Sequence, residues 1–229
     1  FPNRLWLALG SGEAIKEAIT GLPWPEKAER NARLGECAAV IRALLDGETV
    51  THRGRVTVIE ARLYSRPAAP IPLIGAVTSA ATARFVGTWA DGLLTTTGGD
   101  IATTRDVVAA FRETAGDDKP IYFQHALSWA ETEDAAMAQA IEQWGPVAAG
   151  GEVNWDLRRP ADFDRFGQLV RAEDIAGSVK VSADISRHLD WIAELVDAGA
   201  DHVYLHNVGR NQEAFIDRFG ARMAELSSI

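Results

Sequence analysis

The sequence predicts an α/β fold, a parallel sheet with helices packed outside it, of the TIM (β/α)8-barrel kind. Three observations point there. Short apolar runs alternate with helix-period segments five times over, and none of those five runs is joined to the next by a hairpin turn. The runs end in small residues, hydroxyls, histidines or an acid, the pattern of strand ends that meet at one ligand-binding rim. Two excursions take about 65 of the 229 residues, and a barrel uses about 31 per βα unit, so the remainder fits five units. The sequence opens at Phe1 without an initiator methionine, almost directly in a core strand. The expectation is therefore a barrel truncated to its last five βα units. It forms one domain over 1–229, with a β-ribbon insertion at about 47–70 and an irregular one at about 145–185. A smaller doubly wound sheet, complete in itself, is the alternative.

The first strand runs from Arg4 to Leu9 and ends at Gly10-Ser11-Gly12-Glu13. A helix is predicted from about Glu26 to Leu45, with Leu34, Cys37, Ile41, Leu44 and Leu45 on its apolar side and Asp46-Gly47 as its stop. Glu29 and Arg33 stand four apart on its wet face. From Thr49 to Tyr64 the period changes to that of a β-ribbon turning at Gly54, and the prolines of 65–72 make an extended linker. The second strand, Ile71 to Val77, leads into a helix that starts at Thr78-Ser79 and buries Thr82, Phe85, Val86 and Trp89. Strand three, Leu93 to Thr96, ends in a polar loop, Thr97-Gly98-Gly99-Asp100, and Thr103 or Thr104 caps the next helix. Strand four, Ile121 to Leu127, precedes a helix from about Thr132 to Trp144. After the irregular stretch, which holds a short helix near Phe163 to Val170, a helix over 186–198 buries Leu189, Ile192, Ala193 and Val196. Strand five runs from His202 to His206, and the last helix buries Phe215, Ile216, Phe219, Met223 and Leu226.

Composition narrows the function. Hydrophobic residues make up 47% and the formal net charge is −9, which disfavours a nucleic-acid binder with a broad basic surface. The single cysteine, Cys37, excludes an intrachain disulfide, and its place on an apolar helical side suits a packed thiol. No apolar run reaches the ~18 residues of a membrane span, and no signal-peptide pattern is seen, so a cytoplasmic protein is expected.

The exit of the first strand offers a sharp turn with close backbone approach and an acid, Glu13, at the rim; it reads equally as a tight βα turn with a solvated glutamate. Ala76, Val77, Thr78 and Ser79 bring small residues and two hydroxyls to a helix N-terminus, which suits a phosphate or a simple N-cap. Gln124 is placed to hydrogen-bond a ring edge. His206 and Asn207 at their strand end could contact a ligand or form a hydrogen-bonded turn, and His125 reads as a satisfied core histidine. No metal site is expected, because His202 and His206 lie at opposite ends of a strand. Most tryptophans fall on core spacing, with Trp24 and Trp155 in loops.

Taken together, Arg4 to Glu13, Glu29-Arg30 with Arg33-Leu34, Asp46 to Val50 with Gly54, Ala90-Asp91-Gly92, and Leu205 to Gly209 with Gln212 and Phe215 resemble the bacterial luciferase-like monooxygenase superfamily. The resemblance lies closest to its non-deazaflavin flavinoid oxidoreductase branch, and the chain is also similar to deazaflavin-dependent glucose-6-phosphate dehydrogenases. It implies the fourth to eighth βα units of a luciferase-type TIM barrel and a flavin-type cofactor across its mouth. Gly10, Ser11 and Gly12 would pass beside the ring, Glu13 would act as a proton donor, and Ala76, Val77, Thr78 and Ser79 would cradle the phosphate. The lysines that hold the substrate phosphate in the dehydrogenases correspond to Ala126 and Gly177, which argues against glucose 6-phosphate. An asparagine after the glutamate is Lys16 here, and the dehydrogenases' catalytic histidine lies on a strand earlier than any in this sequence.

The resemblance implies an oxidoreductase or monooxygenase-like enzyme that passes hydride through FMN or, as the alternative, a deazaflavin coenzyme. Two other readings stay open: a non-redox barrel enzyme acting on a phosphorylated metabolite with Glu13 as general acid/base, and a catalytically inert partial barrel. The expected partner is a small-molecule substrate, with no nucleic acid and no membrane, and a homodimer is open.

Overall fold

The computed structural model describes residues 4–98 and 100–226, without the side chains of 149–152 and 223–226. Gly99 of the expected polar loop and the expected inward side chains of Met223 and Leu226 lie outside the described residues. The chain divides into two compact units, Phe1–Thr95 with Ala102–Tyr122, and Thr96–Ile101 with Phe123–Ile229.

In the first unit, β1 (Leu7–Leu9) leads into the short α1 (Ala14–Glu17), then α2 (Lys27–Asp46), the ribbon β2 (Val50–Arg53) and β3 (Thr57–Ala61), β4 (Leu73–Ala76), α3 (Ala80–Gly87), β5 (Gly92–Thr96) and α4 (Ile101–Ala115). β1, β4 and β5 are parallel neighbours in that order, in register Leu7↔Leu73 and Leu9↔Gly75, then Ile74↔Gly92 and Ala76↔Leu94. Leu73, Ile74, Leu93, Val86 and Phe111 are fully buried, so the apolar runs do form the core between sheet and helices. The expected ribbon is present and antiparallel. Glu36 of α2 holds it: its carboxylate accepts from His52 Nε2 at 2.8 Å, Arg55 N at 2.7 Å and Arg55 Nη1 at 3.1 Å.

Several local expectations are corrected. Arg33 pairs with Glu17 at 2.7 Å and Glu29 with Arg55 at 2.9 Å, so the i, i+4 pair on α2 gives way to tertiary partners. Cys37 is only half-buried; burial still pushes its thiol pKa up, which suits an unreactive thiol. α4 begins at Ile101, with Asp100 before it, so Thr103 and Thr104 lie in its first turn and cap nothing.

The second unit takes β6 (Ile121–Ser128) from Phe123 onward, then α5 (Glu133–Gly150), α6 (Pro160–Gly167), α7 (Ala172–Ala176), β7 (Lys180–Val181), α8 (Ile185–Asp197), β8 (His202–Asn207) and α9 (Gln212–Leu226). The stretch 145–185, expected to be irregular apart from a short helix near Phe163 to Val170, holds the end of α5, a 3-10 turn over Gly151–Trp155, the expected helix displaced a few residues earlier as α6, the further short helix α7 and a two-residue strand. β7 pairs in parallel with the end of β6, Leu127↔Lys180 and Ser128↔Val181, a ladder too short to leave a hydropathy period. Successive strand residues point their carbonyls to opposite sides. Leu127 O accordingly accepts from Val208 N after β8, while Ser128 O accepts from Ser182 N after β7. α5 continues past the expected end at Trp144, through Pro146, against which Gly167 of α6 packs. On α8 the buried stripe is His188 and Leu195 with Ile192 beside it, and Ala193 and Val196 face solvent. On α9, Phe215 and Phe219 are buried and in ring contact, and Ile216 is exposed. The buried residues keep helical spacing, i, i+7 on α8 and i, i+4 on α9, which leaves Val196 and Ile216 one position off the buried stripe.

Candidate functional site

The register of β1 on β4 sets the site in the first unit. Because Leu9 stands beside Gly75 in parallel, the two chains leave the sheet side by side at the same end. The Cβ that Gly10 lacks would lie 3.4 Å from Ala76 O, in contact but without a clash, so glycine here leaves open the space between the two exits that a methyl group would fill. Gly12 has φ +85°, and a Cβ there would collide with Glu17 Oε1 and touch Trp24 Cη2 at 3.5 Å. The left-handed backbone is what favours glycine at 12; a Cβ would also push the Glu17 carboxylate aside.

Glu13 occupies the N-cap position of α1, with its side chain about one-third exposed. Its Oε2 lies 2.8 Å from Lys16 Nζ, the position where the resembled family carries asparagine, so the rim acid comes with its own cation. Ser11 Oγ accepts from Lys27 Nζ at 3.1 Å. On the neighbouring exit, Val77 is buried and its N–H donates to Leu94 O, which makes it an extension of the ladder. Thr78 and Ser79 are exposed. Ser79 stands at the N-cap of α3 but its side chain caps no helix N–H; Ser79 Oγ donates to Thr82 Oγ1 at 3.0 Å. The first turn of α3 thus keeps backbone donors for a ligand.

The residues expected in the second unit separate into two roles. Gln124 Nε2 donates to His206 Nδ1 at 3.4 Å, and the His206 ring meets the Trp144 ring edge-on with centroids 5.1 Å apart. Asn207 is buried, and its side chain is consumed locally: Oδ1 accepts from Trp129 N at 3.3 Å and Nδ2 donates to Asn211 Oδ1 at 3.2 Å. Asn211 Nδ2 in turn donates to Trp129 O at 2.9 Å. This is the hydrogen-bonded turn that the sequence left open. His125 is buried as expected but only half satisfied. Its Nδ1 is 2.7 Å from Thr97 Oγ1, and its Nε2 has no partner among the described residues. Burial, with His188 and Lys180 nearby, lowers its pKa to about 4.

Sequence reasoning missed Lys27 and named Arg30 only within the resemblance, without a place at this site. Arg30 is 7% exposed, with Cζ 4.2 Å from the centre of the Trp24 ring. The available signal was the Pro23-Trp24-Pro25 loop, an aromatic off core spacing just before two cations. Among the described residues no group of three His, Cys, Asp or Glu side chains is placed to hold a metal, and no helix is long and apolar enough to cross a membrane.

Parallel βα units whose polar exits run side by side at the carboxyl ends of the strands define an α/β ligand-binding fold of the kind found in barrels and open sheets alike. The chain belongs to the luciferase-like monooxygenase family, whose model matches residues 1–202. It is 34% identical over 96% of its length to an F420-dependent glucose-6-phosphate dehydrogenase of Microbacterium testaceum (strain StLB037), covering 68% of that protein. It is 32% identical over 95% of its length to a protein of the same name in Beutenbergia cavernae, covering 67% of it. Among solved structures, an F420-dependent secondary alcohol dehydrogenase in complex with an F420-acetone adduct superposes with a TM-score of 0.82 at 24% identity, over 92% of this chain and 66% of that one. EDTA monooxygenase from Chelativorans sp. BNC1 gives 0.66 at 13% identity, over 98% and 68%. At these identities the two structures carry the fold, a luciferase-like TIM barrel. The chain spans about two thirds of the length of the relatives it matches. The family is one of oxidoreductases, which bears out the enzyme class expected from the sequence.

Proposed function

We propose that the chain takes part in deazaflavin-dependent hydride transfer, with coenzyme F420 rather than FMN held at the paired exits of β1 and β4. The observation that carries this reading is that two polar exits lie side by side, one a bare glycine turn and the other a helix start whose N–H groups no side chain caps. The relatives at 34% and 32% identity, both F420-dependent by name, favour the deazaflavin over the FMN first expected. In this arrangement Gly10 and Gly12 let a flat ring approach the backbone. Thr78, Ser79 and the first N–H groups of α3 bind a phosphate through hydrogen bonds and the helix dipole. The bound coenzyme supplies the hydride chemistry. Glu13, held by Lys16, orients and exchanges a proton at the rim. The substrate is a small molecule other than glucose 6-phosphate. Ala126 packs against α5 and Gly177 closes α7, so neither position offers a cation to a sugar phosphate.

Titration of the chain with oxidised F420 and, separately, with FMN tests the reading. A saturable change in ring absorbance or fluorescence with F420, and binding at least about tenfold weaker for FMN, is expected. No change with F420 contradicts it, and tighter binding of FMN returns the assignment to the flavin.

A further inference from the structure

Among its described residues the first unit carries two adjacent cations, Lys27 and Arg30, that no carboxylate pairs with. Lys27 and Arg30 are the first and fourth residues of α2. They stand one turn apart at the helix end where the aligned peptide dipoles leave positive charge. Cations are disfavoured there, and like charges at i, i+3 repel. Among the described residues neither pairs with a carboxylate. Lys27 Nζ has Ser11 Oγ at 3.1 Å. Arg30 Nη1 donates to Pro25 O at 3.0 Å and its guanidinium stacks on Trp24, yet Arg30 is 7% exposed and its Nε has no hydrogen-bond partner. Buried charges are ordinarily paired, because desolvation is costly. The nearby acids are spent elsewhere, Glu13 on Lys16, Glu17 on Arg33 and Glu29 on Arg55. The N-cap residue, Glu26, makes no side-chain cap.

We propose that Lys27, backed by Arg30 and beside the Ser11 hydroxyl, forms an oxyanion seat next to the Gly10–Gly12 turn and takes a phosphate or carboxylate of the molecule bound there. This rests on the reading that the turn binds a ligand. The geometry is specific to that spot. Ser11 fixes the lysine head at the turn. Arg30 is a positioning residue, holding Trp24, whose Cη2 reaches to 3.5 Å from the missing Gly12 Cβ. An anion entering here pairs with Lys27, eases the repulsion between Lys27 and Arg30, and meets the positive end of α2.

The anion belongs either to the coenzyme or to a second ligand. Full-chain Lys27→Met and Lys27→Arg are compared with the unsubstituted protein, folding being checked by circular dichroism. Dissociation constants are measured for the intact deazaflavin coenzyme, whose side chain carries a phosphodiester and carboxylates, and for its ribityl-deazaflavin fragment, which lacks those groups. Binding of inorganic phosphate is followed by 31P line broadening. Lys27→Met is expected to weaken the intact coenzyme about tenfold and leave the fragment unchanged, with Lys27→Arg recovering most of the loss. If the coenzyme is unaffected but phosphate broadening is lost in Lys27→Met, the seat stands and its anion comes from a second ligand. Equal losses for coenzyme and fragment, or no change in coenzyme and phosphate binding, overturn the proposal. If the unsubstituted protein binds no deazaflavin, the cofactor reading fails by itself. The phosphate arm then decides: broadening that Lys27→Met abolishes sustains the seat, and anything else overturns it.

Discussion

Gly10 faces the carbonyl oxygen of Ala76 across the exits of β1 and β4, at 3.4 Å from where a side chain would begin. A methyl group fits that gap at contact distance but fills the space through which a ring would pass. Gly10→Ala should therefore keep its stability within about 1 kcal/mol and bind F420 at least about tenfold more weakly. Gly12→Ala behaves differently. The left-handed backbone should cost about 1–3 kcal/mol in urea unfolding, with the Glu17 carboxylate displaced. Equal stability losses for the two variants would contradict the geometry.

The hydroxyls of Thr78 and Ser79 separate a cap from a ligand site. A working N-cap is worth about 1 kcal/mol. Ser79 makes no such cap, so Thr78→Ala with Ser79→Ala should shift the melting midpoint little while weakening the coenzyme about tenfold or more. A large loss of stability with unchanged binding would make the pair structural.

His125 makes the second unit sensitive to acid. Its ring is 1% exposed and burial, first among the causes, holds its pKa at about 4 against an ordinary 6.5. Between those values the unfolded chain binds the proton and the folded one does not. The stabilisation is present above about pH 6.5 and is lost as pH falls towards 4, on the order of 3 kcal/mol in all. His188, also lowered chiefly by burial, acts in the same direction. Urea midpoints at pH 7 and 4.5 should show the drop, and Thr97→Val with His125→Leu should reduce it. An unchanged pH dependence in that variant would rule His125 out as its source.

Glu36 clamps the ribbon. The His52 hydrogen bond, and then those of Arg55, hold its carboxyl at about 2. The clamp is therefore complete above about pH 4.5 and is lost as pH falls through 2. Glu36→Gln should expose the turn, so that trypsin at pH 8 cuts after Arg53 or Arg55 several-fold faster. Unaltered cleavage would place the ribbon's support elsewhere.

The sequence disclosed the five long strands because each is an apolar run closed by Gly, Thr, Ser, Asn or His, and the ribbon because its period changes between Val50 and Ala61. β7 was hidden, since two residues cannot establish a period. The face of α8 slipped by one residue, from Leu189 and Val196 to His188 and Leu195; on α9 Phe215 and Phe219 were placed correctly and, of the described residues, only Ile216 was wrongly turned inward, because Val196 and Ile216 are as apolar as their buried neighbours. At the site, the glycine turn and the Thr78-Ser79 pair were legible as types. Their adjacency came from the β1–β4 register, which no single stretch encodes. Lys16 was legible only as a departure from the family's asparagine and Arg30 only as part of the resemblance, and Lys27 not at all, because a cation's role depends on which acids have already found partners.

Backbone hydrogen exchange with and without F420 tests the central claim most directly. If the two exits hold one ligand, amides over 10–13 and those of 78–82 slow together, with the same concentration dependence. Protection of one stretch without the other, or of neither at saturating coenzyme, would contradict a shared seat at the ends of β1 and β4.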